Sequence, residues 1–170
     1  MYSELTGTYK LEFVGLSFAI AVISSYTALD LSKRVQLAWK WRGLLWLLGG
    51  AIAMGVGIWS MHFVAMLAFE LPQPVTYDVW TTLLSLLFAV LASSIALSLL
   101  SRSISTPILI GGGICMGIAI ASMHYTGMAA MRLQAKLEYD IRLVSLSVII
   151  AIIASFAALW LAFRLKKIKT

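Results

Sequence analysis

The sequence contains two histidines, and each lies in the same short pattern of methionines. One pattern reads SMHFVAM and contains His62, and the other reads SMHYTGM and contains His124. In both patterns a methionine follows four residues after the histidine, at Met66 and at Met128. Because residues four apart share one face of an α-helix, each imidazole and thioether would project together. The pattern therefore predicts two matched pairs of nitrogen and sulfur ligands.

Two glycines, Gly55 and Gly117, lie seven residues before the histidines, on the same helical face. Glycine on such a face lets the backbones of neighbouring membrane helices approach closely. We therefore expect both histidine–methionine pairs to face the interior of a helix bundle, at equal depth, rather than lipid.

Imidazole nitrogen and thioether sulfur form a donor set that suits copper, and Cu(I) above all. Calcium and magnesium prefer hard oxygen ligands, and zinc prefers cysteine, histidine or carboxylate. Haem remains a competitor, because two facing histidines can supply both axial ligands. A structural role is the third interpretation, since an intramembrane histidine often only bonds to a neighbouring helix and methionine often only fills space. The residues by themselves leave copper, haem and a structural role open.

The elements that carry these residues are predicted to be membrane helices. Of 170 residues, 61% are hydrophobic and 12% are charged, whereas an average soluble domain is about 45–50% apolar and about 25% charged. This composition excludes a soluble globular domain and a disordered chain. A span needs about 20 mostly apolar residues. Five segments meet this requirement, at about 11–31, 44–69, 79–100, 107–131 and 143–163. No nucleophile–base arrangement, Walker loop or HExxH string occurs, so the sequence does not predict an enzyme.

The basic residues predict how the spans are oriented, because cytoplasmic loops are enriched in lysine and arginine. With the N-terminus outside, nine of the 13 basic residues fall on the inner side: Lys33, Arg34, Lys40, Arg42, Arg102, Arg164, Lys166, Lys167 and Lys169. The outer side then carries Lys10, Arg132, Lys136 and Arg142. We therefore predict an N-out, C-in membrane protein, in contact with the lipid bilayer. Nucleic-acid binding is not expected, because no basic stretch interleaved with aromatic residues occurs in a soluble segment.

An internal repeat relates the two histidine motifs. A shift of 62 residues lays 49–71 over 111–133 with 12 of 23 positions identical, and 77–102 over 139–164 with 11 of 26 identical. The first span also resembles the fifth. We interpret the chain as one all-α domain, 1–170, of tandem two-helix repeats related by rotation about the membrane normal. The units are repeat 1 at about 9–71, repeat 2 at about 77–133 and a partial repeat 3 at about 139–164.

The strings SMHFVAMLAFELP and SMHYTGMAAM, preceded by GIWS and AIAS, resemble the repeats of the MHYT family of bacterial integral-membrane sensors. Residues 123–126 spell the motif that names the family, whereas the first copy reads MHFV. The first span, with SSYTALDLSKRV, also resembles the opening helix of the family. The resemblance extends from about residue 9 to 164. The family pattern has three motif copies, and this sequence contains two.

The resemblance implies a multi-pass sensory domain of the bacterial inner membrane that detects a diatomic gas (oxygen, carbon monoxide or nitric oxide) or redox state through a copper site near the outer face. The implied ligands are Met61, His62, Met66, Met123, His124 and Met128. It also implies a cytoplasmic signalling domain or partner protein, such as the cyclic-di-GMP synthases and phosphodiesterases that often follow this domain. One alternative is a copper-passing or transport module, in which Met54 and Met116 would be a deeper layer of ligands rather than packing residues. Another is a structural membrane anchor.

Overall fold

The computed structural model describes residues 7–38, 40–101, 105–133 and 138–168, with residues 40 and 165–168 described by their backbone alone. The basic residues Arg102, Lys136 and Lys169, which contributed to the predicted orientation, lie outside the described residues. The described residues form five helices: α1 Leu11–Leu37, α2 Lys40–Leu67, α3 Val79–Leu100, α4 Thr106–Ala129 and α5 Ile141–Ile168. All five are long and apolar enough to cross a membrane. The prediction of an all-helical chain with five candidate spans is confirmed.

Two short antiparallel ladders, which the sequence did not predict, join the helices at one end of the bundle. Strand β1 (Thr8–Tyr9) pairs with β2 (Phe69–Glu70), and β3 (Thr76–Tyr77) pairs with β4 (Met131–Arg132). Each ladder carries an ion pair: Lys10 Nζ lies 2.6 Å from Glu70 Oε1, and Arg132 Nη2 lies 3.1 Å from Asp78 Oδ2. In the first pair the basic residue comes earlier in the chain than the acidic residue, and in the second pair the acidic residue comes earlier. We call this end of the bundle the ladder end.

The five helices form a row in which each one packs mainly on the helices before and after it in the chain. Two apolar clusters hold the row together, and α3 contributes to both. The first consists of Ala28, Ala51, Met54 and Leu97, and the second of Ala96, Leu100, Leu109 and Leu159. Met54 is buried in the first cluster, and Met116 packs against the second. Both methionines therefore serve as packing residues in this structure.

Gly55 and Gly117 lie where helix backbones touch, as expected. A Cβ on Gly55 would lie 2.7 Å from the Cα of Val90 on α3, and a Cβ on Gly117 would lie 2.5 Å from the Cα of Ile152 on α5. Any larger side chain would push these helices apart. Each glycine therefore fixes its helix tightly against the next helix in the chain, α2 against α3 and α4 against α5.

Candidate metal centre at the histidine pair

The two histidine rings meet near the ladder end. The ring centroids of His62 on α2 and His124 on α4 are 5.0 Å apart, and the ring planes are inclined by 65°. The expected convergence of the two imidazoles is therefore observed. The expectation that both would be enclosed is correct only for His62, which is 9% exposed. His124 is exposed. Helix α4 packs mainly on α3 and α5, and the described helices leave the side of α4 that carries His124 partly uncovered.

A glycine on α4 makes room for the buried histidine. A Cβ on Gly127 would lie 2.8 Å from Nε2 of His62 and 3.6 Å from Cε2 of Phe63. The equivalent residue of the first repeat is Ala65, which is exposed. Sequence reasoning missed Gly127, although the replacement of alanine by glycine between the two repeats was a signal that could have found it.

Nε2 of His62 is a buried polar atom, and the described residues offer it no hydrogen-bond partner. Leaving such an atom unsatisfied costs about 1–3 kcal/mol, and buried polar groups in native proteins almost always have a partner. The structural interpretation of His62 requires a hydrogen bond to a neighbouring helix, and this nitrogen does not make one within the described part of the chain. A ligand atom or metal ion at this nitrogen would remove the penalty.

The four methionines of the two motifs differ in their burial. Met123 is 3% exposed, whereas Met61, Met66 and Met128 are half-buried. Met66 and Met128 share a helical face with the histidine four residues earlier, while Met61 and Met123 project about 100° away from the adjacent histidine. Among the described residues, no three His, Cys, Asp or Glu side chains cluster. A metal ion held there by the two imidazoles would therefore take its further ligands from other groups, of which thioether sulfur is the one that the two motifs share.

Aromatic rings continue from the histidine pair along both helices. On α2, Phe63 contacts His62 with ring centroids 5.5 Å apart and contacts Trp59 at 4.7 Å. On α4, Tyr125 contacts His124 at 5.0 Å. Phe63 and Tyr125 occupy equivalent positions of the two repeats. Each imidazole is thus held edge-on against a rigid aromatic neighbour, which restricts its rotation and excludes water from that side.

The ladder end is also fixed by electrostatics at the start of α3. The Asp78 carboxylate accepts hydrogen bonds from the Thr81 backbone N–H at 3.0 Å and from the Thr81 hydroxyl at 2.7 Å. Arg132 donates a third at 3.1 Å. These bonds, with those from Thr81 contributing most, lower the pKa of Asp78 to about 2. Asp78 is therefore ionised at physiological pH and joins the start of α3 to the strand that follows α4.

The model of the MHYT family, described as a bacterial signalling protein N terminal repeat, matches residues 55–113 and 117–169. This chain belongs to the MHYT family. The resemblance seen in the sequence is thereby confirmed, and the chain is a sensory domain of a signalling family. The two matched ranges begin 62 residues apart, at Gly55 and at Gly117. The first range runs from within α2 through α3 into the beginning of α4, and the second from within α4 through α5.

Curated relatives carry a similar segment. The chain is 52% identical over 163 residues to the bifunctional diguanylate cyclase/cyclic di-GMP phosphodiesterase MucR and 46% identical over 154 residues to the cyclic di-GMP phosphodiesterase NbdA, both of Pseudomonas aeruginosa. It is 39% identical over 163 residues to the signaling protein YkoW of Bacillus subtilis. These alignments cover 95%, 89% and 95% of this chain but only 24%, 19% and 20% of the relatives. The chain thus spans a quarter or less of their length. No solved structure matches it.

Proposed function

We propose that this domain senses a diatomic gas, or the redox state that such a gas sets, through a copper ion held at the histidine pair. One observation carries the proposal: the buried Nε2 of His62 has no partner among the described residues, and the second imidazole lies 5.0 Å away between ring centroids. Two neutral nitrogen donors side by side in an apolar bundle are the beginning of a copper site.

The donor set fits copper better than it fits other ions. His62 and His124 would supply nitrogen, and Met66 and Met128 would supply sulfur from the same helical faces. Met61 and Met123 belong to the ligand set that the family resemblance implies. Bound copper would supply an electron-rich centre that coordinates oxygen, carbon monoxide or nitric oxide. The exposed side of His124 gives a small ligand access to the pair, whereas Gly127 makes room for His62 and Phe63 packs edge-on against its ring.

The signal has a route along the helices. From the positive-inside rule we propose that the N-terminus and the ladder end lie outside, and that the far ends of the helices lie in the cytoplasm of a bacterium. Gly117 keeps α4 in backbone contact with α5, so a shift of α4 at the histidine pair would move α5 as well. Because MucR and NbdA are named as cyclic di-GMP enzymes, we propose synthesis or degradation of cyclic di-GMP as the output that α5 controls.

Metal analysis of the purified chain in lipid nanodiscs, after loading with Cu(I), tests the proposal. We expect the wild type to retain copper after desalting, and His62→Ala, His124→Ala and the double variant to lose it. Met116→Leu is the matched control, because this methionine packs against the second apolar cluster and not at the histidine pair. Equal copper in the wild type and the double histidine variant would refute the proposal.

Two further measurements separate the alternatives. A Soret band after haem-replete expression, lost in the histidine variants, would replace copper by haem. Copper uptake into proteoliposomes would indicate transport instead of sensing. We expect no copper uptake, since Met54 and Met116 pack in separate apolar clusters and not side by side as a relay of ligands.

A further inference from the structure

A wide, shallow cavity of about 510 Å³ lies beside the histidine pair, between α3, α4 and α5, and most of its boundary is open to the surroundings rather than walled by protein. Its lining includes Phe88 of α3, Val148 of α5, and Ala121, Ser122, Tyr125 and Thr126 of α4. The α4 residues recur at intervals of three and four and therefore form one face of that helix. No charged side chain occurs among the described residues that line it. The cavity is thus suited to a neutral, mostly apolar molecule that carries a few polar atoms.

The first repeat shows why this space is empty. The residue equivalent to Ala121 is Trp59, whose indole Nε1 donates a hydrogen bond to Ser85 Oγ at 3.0 Å. In the second repeat, Tyr125 hydrogen-bonds to Ser147, which is the equivalent of Ser85. The serine is therefore satisfied in both repeats, but by different residues. The volume of an indole is missing from the second repeat, because alanine stands where the first repeat has tryptophan.

The second repeat also adds polarity to this space. Thr126 stands where the first repeat has Val64, and Tyr125 stands where it has Phe63. Thr126 and Ser122 are four residues apart on α4, so their positions are separated by about 6 Å along the helix axis. Two hydroxyl groups at this spacing can each donate a hydrogen bond to a separate acceptor on one flat molecule.

We propose that this cavity binds the ring of a membrane-dissolved quinone. The two para carbonyl oxygens of such a ring are separated by roughly one helical turn, which matches the spacing of Ser122 and Thr126. Phe88 offers an aromatic face or edge to the ring. The isoprenoid tail would leave through the open side into the bilayer. A diatomic gas is far too small to fill about 510 Å³, so this site is separate from the proposed gas site and does not depend on copper.

The position of the cavity links an occupant to the histidine pair. Tyr125 lines the cavity, and its ring contacts that of His124 with centroids 5.0 Å apart. A molecule bound against Tyr125 is therefore one side chain away from His124. Quinone occupancy would restrict the movement of Tyr125, and through it the exposed imidazole.

Photolabelling of the full chain in nanodiscs with an azido-quinone, in competition with decylubiquinone, tests the proposal. We expect saturable labelling that maps to the cavity lining and is prevented by decylubiquinone. Ala121→Trp, which installs the residue of the first repeat, should abolish it. Ile110→Trp is the matched control, because this residue lies on the same helix and is 47% exposed, and it should label like the wild type.

A second variant covers the case in which the added indole disturbs folding. Thr126→Val adds no volume and removes one donor, so we expect about two- to tenfold weaker competition by decylubiquinone with unchanged copper retention. Undiminished labelling of Ala121→Trp in folded protein would overturn the proposal. Equal competition by a phospholipid or an alkyl chain without a ring would also overturn it, and would identify an acyl chain as the occupant. Copper retention is scored separately, so the two proposals can fail independently.

Discussion

Replacing Gly127 with alanine inserts one methyl group between α4 and the buried imidazole of His62. The added carbon would lie 2.8 Å from Nε2, whereas ordinary van der Waals contact begins at 3.4 Å. The imidazole must therefore move by about 0.6 Å, the difference between these two distances. Ligand distances in a metal site are maintained to within about 0.2 Å. The required displacement is about three times that tolerance.

The stability cost of this substitution should be small compared with its effect on binding. Overpacking costs about 1–3 kcal/mol, and replacing glycine by alanine inside a helix returns about 0.5–1 kcal/mol. The atom that must move is at the end of a side chain, so a small displacement of the imidazole can relieve the contact without moving the backbone. We expect the copper affinity to fall about 10- to 100-fold, the range seen when the support of a metal ligand is altered.

Competition with a chromophoric Cu(I) chelator measures the affinity, and thermal unfolding in nanodiscs measures the stability. Gly111→Ala, on the same helix, is the matched control, since a Cβ there would have no neighbour within 4 Å. Its copper affinity should equal that of the wild type. The steric reasoning is wrong if Gly127→Ala binds copper as tightly as the wild type. An equal loss of copper affinity in both variants would mean that any glycine-to-alanine change in α4 weakens binding, and that the contact with His62 is not the cause.

Two further predictions concern stability. Asp78→Asn keeps an acceptor for Thr81 but loses the charge that faces Arg132, so it should lower the melting temperature less than Asp78→Ala. Because the pKa of Asp78 is lowered from 3.8 to about 2, its ionised form stabilises the fold above about pH 4, and this contribution is lost as the pH falls towards 2. The difference in melting temperature between the wild type and Asp78→Asn should shrink over that interval, and a constant difference would contradict the assignment. Leu97→Ala removes a side chain that is 0% exposed and should cost about 2–5 kcal/mol of unfolding free energy. Leu87→Ala, at a position 52% exposed on the same helix, should cost much less, and equal losses would contradict the packing.

The parts of the fold that depend on linear properties of the chain could be predicted. Apolar length gives the five candidate spans, and helical periodicity places Met66 on the face of His62 and Met128 on the face of His124. The interval of 62 residues between the two motifs predicts that the histidines lie at one level, and their rings are observed in contact. These features require no knowledge of which helix faces which neighbour.

Features that depend on packing between distant segments could not be predicted. The strands of the ladders have two residues each, which is too short for an alternating pattern to be recognised. Gly127 is one of 12 glycines, and although the replacement of Ala65 by glycine marks the position, only the approach of α2 shows which side chain it accommodates. The exposure of His124 follows from the row-like arrangement of the helices, in which α4 is covered by α3 and α5. The exposure of His124 could therefore not be predicted from the residues that flank it in the sequence.

The two repeats have kept the histidine and its methionines but differ in what surrounds them. Trp59 and Val64 of α2 are replaced by Ala121 and Thr126 on α4, so the flank of the second helix is open and hydroxyl-lined where that of the first is filled. A symmetric pair of ligands is enough to hold an ion, but symmetry alone cannot make one helix respond more than the other. The second repeat has the open flank and the exposed imidazole, and its helix is in backbone contact with α5 through Gly117. From this asymmetry we propose α4 as the helix through which events at the ladder end would reach the far end of α5.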